Sequence, residues 1–166
     1  GERVQDRMLL LLGVLLASPA FAEDVAYSGR TLEVAADQEA KPILSMQGSH
    51  YSISLPPDQV ISKAQTCLAA QSGMHVESTD PASGQLQATA KLPYRARFSS
   101  YTVSSRLTLL ATGGGFQINE TTLGVSAAGS ETAADVQPLS QKESGWEKSL
   151  DALILGENAL VDCLYR

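Results

Sequence analysis

The sequence predicts an α+β domain: an antiparallel sheet of about five strands with two helices packed on one face, in the order β-α-β-β-β-β-α. Three observations predict it. Several stretches alternate apolar and polar residues with period two, the pattern of half-buried strands. Two stretches repeat apolar residues with helical spacing. Turn residues fall between the strands at the positions that hairpins require.

The elements follow in chain order. Residues 23–45 form an N-terminal extension in which Leu32, Val34 and Ala36 allow one extra strand. The domain proper is expected at 46–166. Tyr51, Ile53 and Leu55 alternate with His50, Ser52 and Ser54, giving a strand that ends at Pro56-Pro57. Proline suits the first helical position, and Asp58 favours the positive end of the helix that follows. Val60, Ile61, Ala64, Cys67 and Leu68 make one apolar stripe, running to about Gln71, with Gly73 as the expected cap. Met74–Thr79 is a short strand. Asp80-Pro81-Ala82-Ser83-Gly84 reads as a turn.

Leu86, Ala88, Ala90 and Leu92 then alternate with Gln85, Gln87, Thr89 and Lys91, so one face is buried and the other wet. Tyr101, Val103, Leu107 and Leu109 repeat the pattern, and Phe116 and Ile118 continue it after Gly113-Gly114-Gly115. A phosphate-binding glycine loop is followed by a helix; here a strand follows, so the glycines read as a hairpin turn. Residues 124–139 are small and polar and read as a mobile loop. Ser140-x-x-Glu143 and Ser144-x-x-Glu147 are both capping boxes, so a helix is expected to start at one of them. Its apolar side is Trp146, Leu150, Leu153, Ile154, Leu160, Val161 and Leu164, with Gly156 as a point of bending.

The chain has 166 residues, a formal charge of −6, 43% hydrophobic and 18% charged residues. That fills one core and excludes compositional disorder. The acidic balance excludes nucleic acid as main partner, because that binding needs a surplus of Lys and Arg. The run from Met8 to Ala17 followed by Ala20-Phe21-Ala22 reads as a secretory leader, 1–22, cleaved after Ala22. The run is too short to span a bilayer, which takes about 20 apolar residues. The expected location is therefore periplasmic or secreted, with no transmembrane helix in the mature chain. In an oxidising compartment Cys67 and Cys163 can pair, the alternative being two buried thiols. No metal site or cofactor is expected, because His50, His75 and the cysteines lack ligand spacing.

The order of elements, the stretch from Ile53 to Ile118 and the Asp80–Gly84 turn followed by an alternating strand resemble the bacterial "domain of unknown function 4468" family. The resemblance covers about 45–165. It implies a fold like one repeat of the TATA-binding protein and implies no particular activity.

No G-x-S-x-G, H-E-x-x-H, P-loop or dinucleotide motif is present. The clearest charge feature is Lys91, Arg95, Arg97 and Arg106 interleaved with Tyr94 and Tyr101. Cations among aromatics suit an anionic ligand or a protein partner. The competing reading is a solvated hairpin whose charges blunt an edge strand. The function expected is an exported, non-enzymatic binding or adaptor domain. The alternative is a carrier of a small or lipid-like ligand, with a cavity lined by Leu68, Leu109, Trp146 and Ile154. A hydrolase using His50, His75 or Glu77 is the third reading.

Overall fold

The structure is a computed structural model that describes residues 22–166. The expected leader falls on residues 1–22 and so lies almost entirely outside the described residues. Ten elements follow one another: β1 (Ala22–Tyr27), β2 (Arg30–Ala35), β3 (Ile43–Ser52), α1 (Pro57–Ala69), β4 (Met74–Asp80), β5 (Gln85–Ala96), β6 (Ser99–Thr112), β7 (Gly115–Ala127), β8 (Gln137–Pro138) and α2 (Trp146–Tyr165).

The strands form one antiparallel sheet in the order β1-β2-β3-β7-β6-β5-β4, with β8 paired to β7. The α+β class and the antiparallel sheet agree with expectation, but the sheet has eight strands rather than about five. The N-terminal extension supplies a hairpin, β1–β2, instead of one optional strand, and it joins the same sheet. Its turn is Ser28-Gly29, both at positive φ, the geometry that a two-residue hairpin favours. β7 runs on to Ala127, and Gly124 and Val125 pair with β8, so the expected mobile loop begins four residues later than its composition suggests.

Helix α1 buries all five residues of its expected stripe. Helix α2 starts at Trp146, after neither capping box. Its N-cap is Gly145 in the left-handed region, without a side-chain cap. Ser140 is engaged elsewhere: its hydroxyl donates to the Ala40 carbonyl and accepts from the Lys142 N–H. Gly156 does not mark a break in α2. A side chain there would meet Met74 Cε at 2.7 Å, so the glycine lets α2 approach β4 and β5.

The core divides into two clusters. One gathers Val60, Ile61 and Leu68 of α1 with Leu107, Leu109, Phe116, Ile118, Leu160 and Leu164. The other gathers Leu32, Val34 and Met46 with Val103, Leu123, Leu150 and Leu153. Cys67 and Cys163 are disulfide-bonded with Cα atoms 6.0 Å apart, joining α1 to α2.

Candidate functional site

The six residues singled out as a basic and aromatic patch do not form one surface. Alternation along β5 and β6 sends Leu86, Ala88, Ala90 and Val103 into the core, and Tyr94 and Tyr101 follow that face. The two tyrosines are cross-strand partners, stacked with ring centroids 5.5 Å apart, and pack against the second cluster. Burial, then the nearby Glu143 charge, pushes the Tyr94 hydroxyl up to about 12. Arg97 lies in the turn. Its guanidinium donates to the Tyr101 hydroxyl at 3.2 Å and sits 5.6 Å from that ring's centroid. Arg95 donates to the Ser100 hydroxyl at 3.4 Å.

Lys91 and Arg106 lie on the opposite, outer face. They line a concavity of about 410 Å³ together with Thr89, Ser104, Thr122, Glu131 and Val136. Lys91 pairs with Ser104 and Thr89 with Arg106, so the two cations occupy diagonal positions on neighbouring strands. Such positions are about 7–8 Å apart, close enough for two long side chains to grip one group. Neither cation forms an ion pair with a described residue.

The far wall is the segment after β7. Glu131 anchors it: its carboxylate accepts from the Gly129 N–H at 2.9 Å and the Thr102 hydroxyl at 2.8 Å. Those donors, the backbone one first, hold its carboxyl below the usual carboxylate range, and Lys91 adds to the effect. The floor contains a β-bulge. Ser104 pairs with Gly124 but Arg106 with Thr121, and Thr122 at φ +53° sits in the extra position.

A second polar group was not singled out in the sequence. Glu120 of β7 is 0% exposed and Glu157 of α2 is 2% exposed. Arg30 of β2 donates from Nε to Glu157 Oε1 at 2.8 Å, and Ser105 donates its hydroxyl to Glu120 Oε1 at 2.6 Å. The other oxygen of each carboxyl, Oε2, is buried without a donor. Glu157 is the neighbouring carboxyl whose charge acts on Glu120. Burial first, then Glu157, raises the Glu120 carboxyl well above its ordinary value; Ser105 and Arg30 oppose this and do not overcome it. Both glutamates fall on the apolar face of their element, Glu120 two residues after Ile118 on β7 and Glu157 four after Leu153 on α2, so the periodicity carried a signal of burial that their charge masked.

The remaining candidates are dispersed. His50 is exposed on β3 and His75 on the edge strand β4. His75 Nε2 lies 3.9 Å from Glu77 Oε1, both well exposed, and Glu77 also accepts from the Thr89 hydroxyl. Of the residues named for a carrier cavity, Leu68 and Leu109 belong to the first cluster, whereas Trp146 and Ile154 pack against the second. Among the described residues no three His, Cys, Asp or Glu gather as a metal site, and no helix is long and apolar enough to cross a membrane.

No protein-family model and no curated protein matches the chain. Solved structures do. A DUF4468 family protein from Bacteroides ovatus superposes with a TM-score of 0.54 at 9% identity, covering 85% of this chain and 90% of that one. A TBP-like protein from Parabacteroides distasonis gives 0.52 at 10% identity, covering 86% and 97%. Likeness over nearly the whole length at so little identity is a statement about architecture, and the chain has the TBP-like α+β fold of these two structures.

Proposed function

We propose that the protein is an exported, non-enzymatic binding or adaptor domain that takes an anionic group on the outer face of its sheet. The observation that carries this reading is the concavity that Lys91 and Arg106 share with the Thr89 and Ser104 hydroxyls: neither cation is ion-paired with a described residue, and the carboxylate on the wall, Glu131, is engaged by the Gly129 N–H and the Thr102 hydroxyl. An ammonium, a guanidinium and hydroxyls around one hollow suit a phosphate or carboxylate. Strain stored at Thr122, a β-branched residue in the left-handed region, is the kind of feature that collects at binding sites. The disulfide supports export, because such bonds persist in oxidising compartments. The separation of His50 from His75 supports a non-catalytic role.

The test is an amide NMR titration with inorganic phosphate. Shifts are expected at Thr89, Lys91, Ser104 and Arg106. Replacing Lys91 and Arg106 together by Ala should weaken phosphate binding by about tenfold or more, since each charge-assisted hydrogen bond is worth about 1.5–3 kcal/mol. Shifts elsewhere, or an unchanged affinity in the double variant, would remove the concavity as the site.

A further inference from the structure

The buried polar group has a fixed place relative to the two apolar clusters. On α2, Glu157 lies between Leu153 of the second cluster and Leu160 of the first. On β7, Glu120 lies between Leu123 and Ile118, and on β6 Ser105 lies between Val103 and Leu107, in the same order. Three elements thus place their polar residue on one seam that separates the halves of the core.

The charge on that seam does not balance without a proton. The elements around it contribute Arg30 from β2, Glu120 from β7 and Glu157 from α2 as the ionisable groups. Ser105 of β6 is neutral, as is Asn158, which accepts from Arg30 at 3.4 Å. The cross-strand neighbours Met46 of β3 and Ala90 of β5 carry no charge. One guanidinium therefore faces two buried carboxyls, each with one oxygen lacking a donor. Two such carboxyls cannot both ionise at contact distance without strong repulsion. A proton kept on Glu120 turns one of the orphaned oxygens into a donor and restores neutrality.

We propose that Glu120 keeps its proton on the seam beside the Arg30-paired Glu157, and that this proton latches the first half of α2 to the sheet as a pH-sensitive switch. Loss of the proton leaves a like-charged pair between β7 and α2. The far end of α2 stays held by Cys163 to α1, so the segment that lifts is the one from Trp146 to Glu157. That segment covers the second cluster through Leu150 and Leu153. The direction follows from linkage. A carboxyl raised in the folded state binds more proton there than in the unfolded chain. Its stabilising contribution is complete below the unfolded value and is lost as pH rises through the folded one. A single proton makes unfolding up to about tenfold more favourable per pH unit within that window.

The chain contains one tryptophan, Trp146, at the first residue of α2, with its ring 5.6 Å from that of Tyr27. It reports the latch directly. Infrared spectra of the wild-type protein at neutral pH should show the C=O stretch of a protonated carboxyl, absent in Glu120→Gln. Raising the pH from about 5 to about 9, the span over which buried glutamates titrate, should shift Trp146 emission to the red in the wild type. Glu120→Gln, which carries its own donor, should abolish that shift. Glu157→Gln leaves Glu120 buried but without its like-charged neighbour, and should keep the protonated-carboxyl band while moving the red shift to lower pH. Absence of the protonated-carboxyl band from the wild type overturns the proposal, whatever the variants do. An equal pH response in the wild type and Glu120→Gln overturns it as well.

Discussion

Phe98 is 99% exposed at the tip of the β5–β6 hairpin, and both it and Arg97 have positive φ, +65° and +51°. The hairpin β1–β2 makes the same kind of turn with Ser28-Gly29, where glycine removes the Cβ clash. An L-residue with a large side chain in this region costs on the order of 1 kcal/mol. Phe98→Gly should therefore raise stability by about 0.5–1 kcal/mol, the clash relieved being partly offset by the freer unfolded chain. Urea unfolding at fixed pH checks this. A loss of stability would mean that Phe98 packs in a way its exposure conceals. Such a residue, strained and fully in water, was visible in the sequence only as one aromatic among the cations.

At the scale of elements, β3 and β7 are joined through a bulge. Gln47 pairs with Asn119 and His50 with Gln117, leaving Gly48 and Ser49 opposite Ile118. The Gly48 N–H donates to Asn119 Oδ1 at 3.3 Å, and its carbonyl accepts from Gln117 Nε2 at 2.8 Å. A Cβ on Gly48 would stand 2.6 Å from the Ile118 carbonyl oxygen, which is backbone and cannot swing away. Gly48→Ala should destabilise by about 1–3 kcal/mol, the usual cost of overpacking. A thermal melt within error of the wild type would show that the strands separate there at little cost.

These elements also show what was legible. Helix α1 and strands β5 and β6 could be read because each has one wet face and one dry face, and the period of the pattern is the period of the element. The β1–β2 hairpin was half read. Ala22-Glu23-Asp24 opens it with acidic residues, and only Val25 and Tyr27 of β1 reach the second cluster. The start of α2 falls one residue after the one the Ser144 box implies, but no side chain caps it, and Ser140 instead ties its segment to Ala40. Lys91 and Arg106 were picked for their charge, but period-two alternation already separates them from Tyr94 and Tyr101 onto opposite faces. That Glu120 and Glu157 meet was missed because they are 37 positions apart in sequence, although each falls on its own element's apolar face. Nothing local signals that a strand and a helix bury them against each other.

For the whole molecule, the disulfide closes a chain separation of 96 residues that contains β4 to β8 and most of α2. Tension applied to the C-terminus passes from Cys163 into α1 at Cys67. It thereby bypasses every strand between them. The bonded protein should behave under load as a short rope, β1 to α1, carrying a shielded parcel. Single-molecule pulling from the two ends of the described chain should release about 330 Å less contour length when oxidised than when reduced, at roughly 3.3–3.6 Å per extended residue. Equal lengths in both states would mean that the bond does not form in the protein as made. A domain exposed to shear would keep the face that carries Lys91 and Arg106 folded while its N-terminal hairpin, with Arg30, yields.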